Sequence, residues 1–357
     1  MPSIPVVRLF LAVWLIAVCN GVAEARQLSS YAIDANRIFV AGISSGAAMA
    51  VQLDVAYSAT FKGAAIYAGV PYYCAGYDLL SAARALAGCS TAIPREPLVN
   101  LEKVTRSWAE RGLIDPVRNL HEMRVYLWSG RSDLVVRQSV MNELESFYRD
   151  LGANVFHYDN QFPAGHGWES PDGLVPCNRT RAPFINLCYN SSEDRGAYDS
   201  EEVWLEQFFG PLKPKGLRSL HGTVLTFDQT QFTPGGATAT ISVADTGYVF
   251  VPRNCADGGS CGLVLALHGC AQSSGAIGET FVYDAGINEW ADTNNFVVLY
   301  PQASSSPGNL LGCWNWWGYL NDADYAQKSG PQMKMLYNIV EFVSRGSASR
   351  SPLRAHP

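Results

Sequence analysis

Charge is what this 357-residue sequence has least of. Asp, Glu, Lys and Arg make up 16% of it, against about 25% in an average soluble protein. Cations are the scarcer sign, with 26 Lys and Arg facing 32 Asp and Glu for a net charge of −6. That balance argues against nucleic acid as the main partner, because phosphate binding needs clustered cations. No C-x-x-C occurs, and no histidine stands at ligand spacing beside a cysteine pair. A zinc site is therefore not expected, and neither metal nor organic cofactor is called for. There is no internal repeat and no long Pro/Ser linker, which argues for one compact domain rather than two. The apolar run Leu9–Val18 (LFLAVWLIAV) stops short of the about 20 residues a spanning helix needs, so no stable membrane insertion is expected.

What is present is apolar and aromatic. Hydrophobic residues make up 48%, with 9 Trp, 17 Tyr and 15 Phe, and mean hydropathy is near zero. This excludes a mainly disordered or fibrous chain and suits an uncharged or apolar ligand. Arg8 precedes the Leu9–Val18 run, and Ala23-Glu24-Ala25 follows as an A-x-A cleavage site. Residues 1–25 therefore read as a signal peptide, with the mature chain starting at Arg26 and secreted to the periplasm or the medium. Cys19 leaves with the signal, so eight of the nine cysteines remain. Cys74 and Cys89, Cys177 and Cys188, and Cys255 and Cys261 are neighbours, leaving Cys270 and Cys313. Eight cysteines allow 105 connectivities; short loops favour nearest-neighbour disulfides, which an oxidising compartment permits.

Continuous apolar runs alternate with helical patterns. Strands are expected at Arg37–Ala41, Ala64–Ala68, Arg124–Trp128, Asn154–Tyr158, Gly262–Leu267 and Phe296–Tyr300, and helices at Gly46–Tyr57, Val140–Leu151, Thr280–Asn294 and Gln332–Val343. Such a pattern predicts a parallel sheet covered on both faces. Thr223–Val251 alternates polar and apolar residues around Pro234-Gly235-Gly236, predicting an antiparallel hairpin packed on the main body.

Gly42-Ile43-Ser44-Ser45-Gly46 matches G-x-S-x-G between a strand and a helix. In such an elbow the glycines permit a sharp turn that lifts Ser44 above the sheet, and the Ser45 N–H is placed to donate to an oxyanion. A serine needs a base and an orienting acid, in the chain order Ser, Asp or Glu, His. Asp133 lies in the loop just past Arg124–Trp128, and His166 lies among small residues in Pro163-Ala164-Gly165-His166-Gly167-Trp168, after the next strand. The other histidines fit less well. His121 and His157 lie in or beside regular elements, His221 borders the hairpin, and His356 is near the end.

An α/β-hydrolase supplies its second oxyanion donor from an HG-type loop upstream of the serine. Only about a dozen mature residues precede the strand of Ser44, so the loop has no room there. A matching segment lies far downstream, where Leu263–Leu267 leads into His268-Gly269-Cys270. The expected fold is therefore a circularly permuted α/β-hydrolase, occupying 26–357 as a single catalytic domain.

The motifs Ala41–Gly46 with Met49, Leu267-His268-Gly269-Cys270, Tyr300-Pro301-Gln302 and Cys313-Trp314-Asn315-Trp316 resemble secreted poly(3-hydroxybutyrate) depolymerases of the single-domain, permuted type. The likeness extends over nearly the whole mature chain, including Val55-Ala56-Tyr57-Ser58, Thr246–Pro252 and Trp290–Asn295. It implies Ser44 as nucleophile, Asp133 as orienting acid and His166 as base. It further implies an oxyanion hole of the Ser45 and Cys270 N–H groups, Trp316 lining the cleft, and a Cys270–Cys313 disulfide. The substrate implied is a polyester polymer or oligomer; separately from the resemblance, a monomer is expected. Trp317-Gly318-Tyr319 after the C-W-N-W motif, and the loop at Ser306-Pro307-Gly308, depart from the family pattern.

With no separate polymer-binding domain, adsorption must use the cleft rim. Trp314, Trp316, Trp317, Tyr319 and Trp168 are the aromatics considered for it. A feruloyl or acetylxylan esterase is the alternative on the same scaffold. A peptidase lacks a peptide-anchoring acid, and a non-catalytic binding protein would have lost a triad member. Asn178-Arg179-Thr180 and Asn190-Ser191-Ser192 are glycosylation sequons.

Overall fold

The computed structural model describes residues 27–347 apart from 79, 92–94, 191–195 and 218. The signal run, Cys19, the cleavage site at Ala25, Arg26, His356, and Ser191 and Ser192 of the second sequon lie outside the described residues.

Eleven strands are described: β1 Ile33–Ile43, β2 Gly63–Tyr67, β3 Arg124–Trp128, β4 Asn154–Asp159, β5 Trp168–Glu169, β6 Val175–Pro176, β7 Ile185–Leu187, β8 Thr223–Asp228, β9 Thr246–Val251, β10 Cys261–Leu267 and β11 Phe296–Tyr300. Eight build the main sheet, ordered β4-β3-β2-β1-β10-β11-β9-β8, while β5, β7 and β6 form a small second sheet. Only β9 runs against its neighbours in the main sheet. The apolar run of β10 is buried at every residue, as is that of β11, because layers of helix cover both faces.

Counted from β8, the strands follow the α/β-hydrolase order with the serine strand fifth in sequence, although β1 comes first in this chain. The ends show how the permutation closes. The helix Pro331–Ser344 finishes where β1 starts, and Tyr31 N–H donates to the Val343 carbonyl at 2.8 Å. Residues 160–222 carry the chain from the β4 edge across to β8 at the opposite edge.

Helix α1, Ser45–Ala56, is buried at all twelve positions. Gly46, Ala47, Ala48 and Ala50 keep it thin enough to lie between the sheet and the helix Pro331–Ser344. A helix buried on every side belongs in such a sandwich. Its one interior amide, Gln52, donates to the Asn315 carbonyl at 3.1 Å and so ties α1 to the C-W-N-W loop.

Two expected elements differ in detail. The Thr223–Val251 hairpin exists, but it extends the main sheet through β9–β11 pairing instead of packing upon it. The helix expected over Thr280–Asn294 divides into Thr280–Asp284 and Ile287–Asn294. Gly286 breaks it with φ +73°, and a Cβ there would lie 2.8 Å from Ser170 Oγ. No helix among the described residues is long and apolar enough to cross a membrane.

Candidate active site

The turn between β1 and α1 is tight enough to dictate its residues. A Cβ on Gly42 would collide with the Gly46 carbonyl, and one on Gly46 with the carbonyls of Leu267 and His268. Ser44 itself takes φ 58°, ψ −120°, a strained backbone for a residue with a side chain, costing about 1–3 kcal/mol. The strain is held by the Ser44 N–H, which donates to the Tyr67 carbonyl at 2.9 Å. Ser44 is half-buried while its neighbours from Ala41 to Ala56 are buried. Its hydroxyl stands at the N-terminus of α1, whose first turn carries no acid to neutralise the positive end of the helix.

Asp133 and His166 come from the loops after β3 and β4. The loops are joined by Arg131 N–H to the Phe162 carbonyl and Ser132 N–H to the Ala164 carbonyl, both 2.9 Å. Both side chains are buried, and His166 Nδ1 lies 2.8 Å from Asp133 Oδ2. The second carboxylate oxygen, Oδ1, accepts from the N–H groups of Val135 and Val136 at 2.8 and 2.9 Å. A carboxylate gripped in this way holds the imidazole in the tautomer whose Nε2 is free to accept. Among the described residues neither His166 Nε2 nor the Ser44 hydroxyl has a hydrogen-bond partner. The His166 backbone N–H donates to Thr180 Oγ1 at 2.8 Å, and the Cys177–Cys188 disulfide braces this covering loop.

The segment His268-Gly269-Cys270 lies directly against the elbow. A Cβ on Gly269 would stand 3.2 Å from both the Ser44 Cβ and the Ile43 carbonyl. The N–H groups of Ser45 and Cys270 have no acceptor among the described residues. Cys270 is bonded to Cys313, and Trp314 N–H donates to Ser45 Oγ at 3.3 Å. The remaining cysteines pair as 74–89 and 255–261, so all four disulfides join the expected partners.

Two of the aromatics expected at the rim do not reach it. Trp168 is wholly buried, stacked on Tyr67 at 4.0 Å, with Nε1–H donating to Glu201 Oε1 at 2.7 Å and to the Ala285 carbonyl. Trp314 is equally buried, its ring 5.4 Å from that of His268. Both are core residues with no face for a ligand. Trp316 and Trp317 are half-exposed and meet edge to face at 5.6 Å. The Tyr319 ring is also half-exposed, but its hydroxyl is engaged with the Cys313 carbonyl, Asn309 and Gln332.

Sequence reading missed several contributors. Asn315 holds the Trp loop, donating to both Asp322 oxygens at 2.9 Å and accepting from the N–H groups of Gly318 and Tyr319. Burial pushes the Asp322 carboxyl up to about 6. Gln272 fixes the oxyanion loop, accepting from Gly269 N–H at 2.8 Å and donating to the Pro183 and Phe184 carbonyls. Exposed aliphatic residues flank the site as well. Leu134, 80% exposed, follows Asp133, and Leu310 and Leu311 (81% and 60%) precede the Trp loop.

No protein-family model matches the chain. Curated relatives do. The chain is 39% identical to a poly(3-hydroxybutyrate) depolymerase of Delftia acidovorans over 94% of its own length, spanning 66% of that protein. It is 33% identical to a polyhydroxybutyrate depolymerase of Talaromyces funiculosus, covering 93% of this chain and 97% of the relative. A feruloyl esterase B of Thermothelomyces thermophilus is 28% identical over only 40% of this chain and 46% of its own. Among solved structures, a PHB depolymerase with a serine changed to alanine, complexed with an R3HB trimer, superposes with a TM-score of 0.77 at 30% identity. The PHB depolymerase of Penicillium funiculosum gives 0.76 at the same identity, and each covers 90% of this chain and 99% of the other. With this elbow, this strand order and a relative matched almost end to end at 33% identity, the chain belongs to the polyhydroxybutyrate depolymerase family.

Proposed function

We propose that this protein is a secreted serine esterase that hydrolyses the ester bonds of poly(3-hydroxybutyrate) or a related polyhydroxyalkanoate. The observation that carries the reading is the buried 2.8 Å contact of His166 Nδ1 with Asp133, made at the carboxyl-terminal ends of the parallel strands, where the strained Ser44 elbow also lies. In the reaction, Ser44 Oγ attacks the ester carbonyl carbon as its proton passes to His166 Nε2. The oxyanion is held by the N–H groups of Ser45 and Cys270. Collapse expels the alcohol end of the leaving chain, which takes the proton from Nε2. Water then attacks the acyl-enzyme with His166 again as base, releasing the acid and restoring Ser44.

A solid polyester needs a surface as well as a cleft. Leu134, Val135, Leu310 and Leu311 are exposed on loops that carry the site, and the half-exposed Trp316 and Trp317 follow Leu310 and Leu311 in the same loop. We read these residues as the adsorbing rim, replacing the buried Trp168 and Trp314. The mature chain from Arg26 acts as one catalytic domain and as a monomer. Export after cleavage at Ala25 accords with its four disulfides.

The test is clearing of an amorphous poly(3-hydroxybutyrate) suspension by the mature protein, with Ser44→Ala alongside. Clearing by the wild type alone is expected. If the wild type cleaves a short soluble ester yet leaves the suspension turbid, the polymer assignment falls and a feruloyl or acetyl sugar ester becomes the substrate to try.

A further inference from the structure

His268 opens the oxyanion loop, and no step of the proposed reaction uses its ring. The residue is completely buried. Its Nε2 accepts a hydrogen bond from the backbone N–H of Ala303 at 3.1 Å. A ring nitrogen that accepts from an amide carries no proton, so in the neutral imidazole the proton resides on Nδ1. Burial keeps the ring neutral, pulling its pKa down to about 4. Nδ1 lies 2.8 Å from the Gly269 carbonyl oxygen and therefore donates to it.

That oxygen belongs to the peptide whose N–H is that of Cys270. In a trans peptide the C=O and N–H point in opposite directions, so anchoring the oxygen aims the N–H. Gly269 itself lies against the elbow, where a Cβ on it would stand 3.2 Å from the Ser44 Cβ. Gln272 secures the preceding N–H of Gly269 through its side chain, and its own N–H reaches the Gly269 carbonyl at 3.3 Å, a longer bond than the 2.8 Å contact from His268 Nδ1.

We propose that His268 is a positioning residue for ester hydrolysis: Ala303 sets its Nδ1–H tautomer, and that proton holds the Gly269–Cys270 peptide with the Cys270 N–H turned into the oxyanion pocket before substrate arrives. The proposal rests on the reading of Ser44 as nucleophile and Cys270 as oxyanion donor. His268 touches no substrate; it acts through one peptide group.

The competing role is that of a core ring filling space beside Trp314. The two nitrogens separate these roles, because an asparagine amide falls near Nδ1 and a glutamine amide near Nε2. His268→Asn retains a donor for Gly269 and abandons Ala303, whereas His268→Gln does the reverse. On a soluble short-chain p-nitrophenyl ester, His268→Gln should lose about tenfold to hundredfold in kcat with KM unchanged. Its inactivation by a p-nitrophenyl alkylphosphonate, which builds an anionic tetrahedral adduct on serine, should slow by the same factor. His268→Asn should stay within about fivefold of wild-type kcat even at a lower Tm.

Wild-type kcat in His268→Gln, or equal losses in both variants that track Tm, would overturn the proposal. So would ring-nitrogen NMR shifts of the unmutated protein that place the His268 proton on Nε2, a measurement that needs no variant to fold. Ser44→Ala serves as the control. Turnover by that variant sinks the site reading itself, whereas an inert Ser44→Ala beside a fully active His268→Gln sinks only the role given to His268.

Discussion

Two stretches of chain meet at one edge of the sheet, and they bring different things. Ser44, Asp133 and His166 come from the loops after β1, β3 and β4, and in the proposed reaction each works through its side chain. His268 to Trp316 come from the loops after β10 and β11, and in the proposed reaction what they present to the ester is a backbone N–H and a half-exposed ring. The first set is fixed by residue type. The second is fixed by position: any residue but proline has the N–H of Cys270, so everything depends on how the peptide is aimed. Side-chain chemistry should therefore fail when a single atom changes, and backbone chemistry only when the backbone moves.

The sharpest break on the side-chain half is Asp133→Asn. Two amides, those of Val135 and Val136, donate to Oδ1. An asparagine must turn its carbonyl oxygen toward them and its NH₂ toward His166. Nδ1 then becomes the acceptor, the proton moves to Nε2, and the imidazole can no longer take a proton from Ser44. A fall of about 10⁴ in kcat is expected with the fold intact. Near-normal turnover with an unchanged circular dichroism spectrum would remove Asp133 from the triad.

On the backbone half the corresponding change is Gly46→Ala, which alters no reacting group. The new methyl would meet the carbonyls of Leu267 and His268, both backbone atoms that cannot swing aside. α1 and the oxyanion loop must separate. A stability loss of about 1–3 kcal/mol and a kcat loss of about a hundredfold are expected, since shifts of an ångström in a reacting site have that effect. Denaturant melts and single-turnover rates measure the two separately. A variant with normal kcat would show that the contact of α1 with the oxyanion loop does not set the geometry.

This division also explains what could be read in advance. Ser44, Asp133 and His166 stand out because G-x-S-x-G and the Ser, Asp, His order are statements about residue types. Three disulfides were legible because their cysteines are near neighbours in sequence, Cys270–Cys313 only through the family resemblance, and the permutation because the His268-Gly269-Cys270 segment follows Ser44 in sequence. Thr180, Gln272 and Asn315 were not legible. Each acts through side-chain hydrogen bonds to backbone N–H or C=O groups, and such bonds have no characteristic spacing. Trp168 was misjudged for a related reason. It lies two residues from His166, but it begins β5 and turns its indole inward to Glu201, while the loop around His166 faces the site. Aromatic residues in loops carry no periodicity to say which way they point. The break at Gly286 is a different case, since a glycine inside a helical pattern is a visible signal.

The smallest expected effect concerns neither half directly, and for that reason it tests the border between them. Leu134 and Leu310 are 80% and 81% exposed, and neither side chain is held by the core. One follows Asp133 on the side-chain half; the other lies near the Trp loop on the backbone half. Replacing both with serine removes apolar surface from opposite loops without touching Ser44, His166, Asp133 or the oxyanion amides. Turnover of a soluble short-chain ester should therefore stay at the wild-type value, and Tm should stay within about 1 °C because exposed positions contribute little to stability. Binding to a polyester film should weaken instead. An exposed leucine that docks on an apolar solid contributes about 1.5–3 kcal/mol at most, and a rough surface realises only part of that. A loss of about threefold to tenfold in adsorption, followed by slower clearing, is the expected size. If adsorption is unchanged while Trp316→Ala abolishes it, the polymer is held by the Trp loop alone, and the aliphatic rim is ordinary exposed surface. If soluble-ester turnover falls with adsorption, the loops are coupled to the triad, and the division between side-chain and backbone halves is drawn in the wrong place.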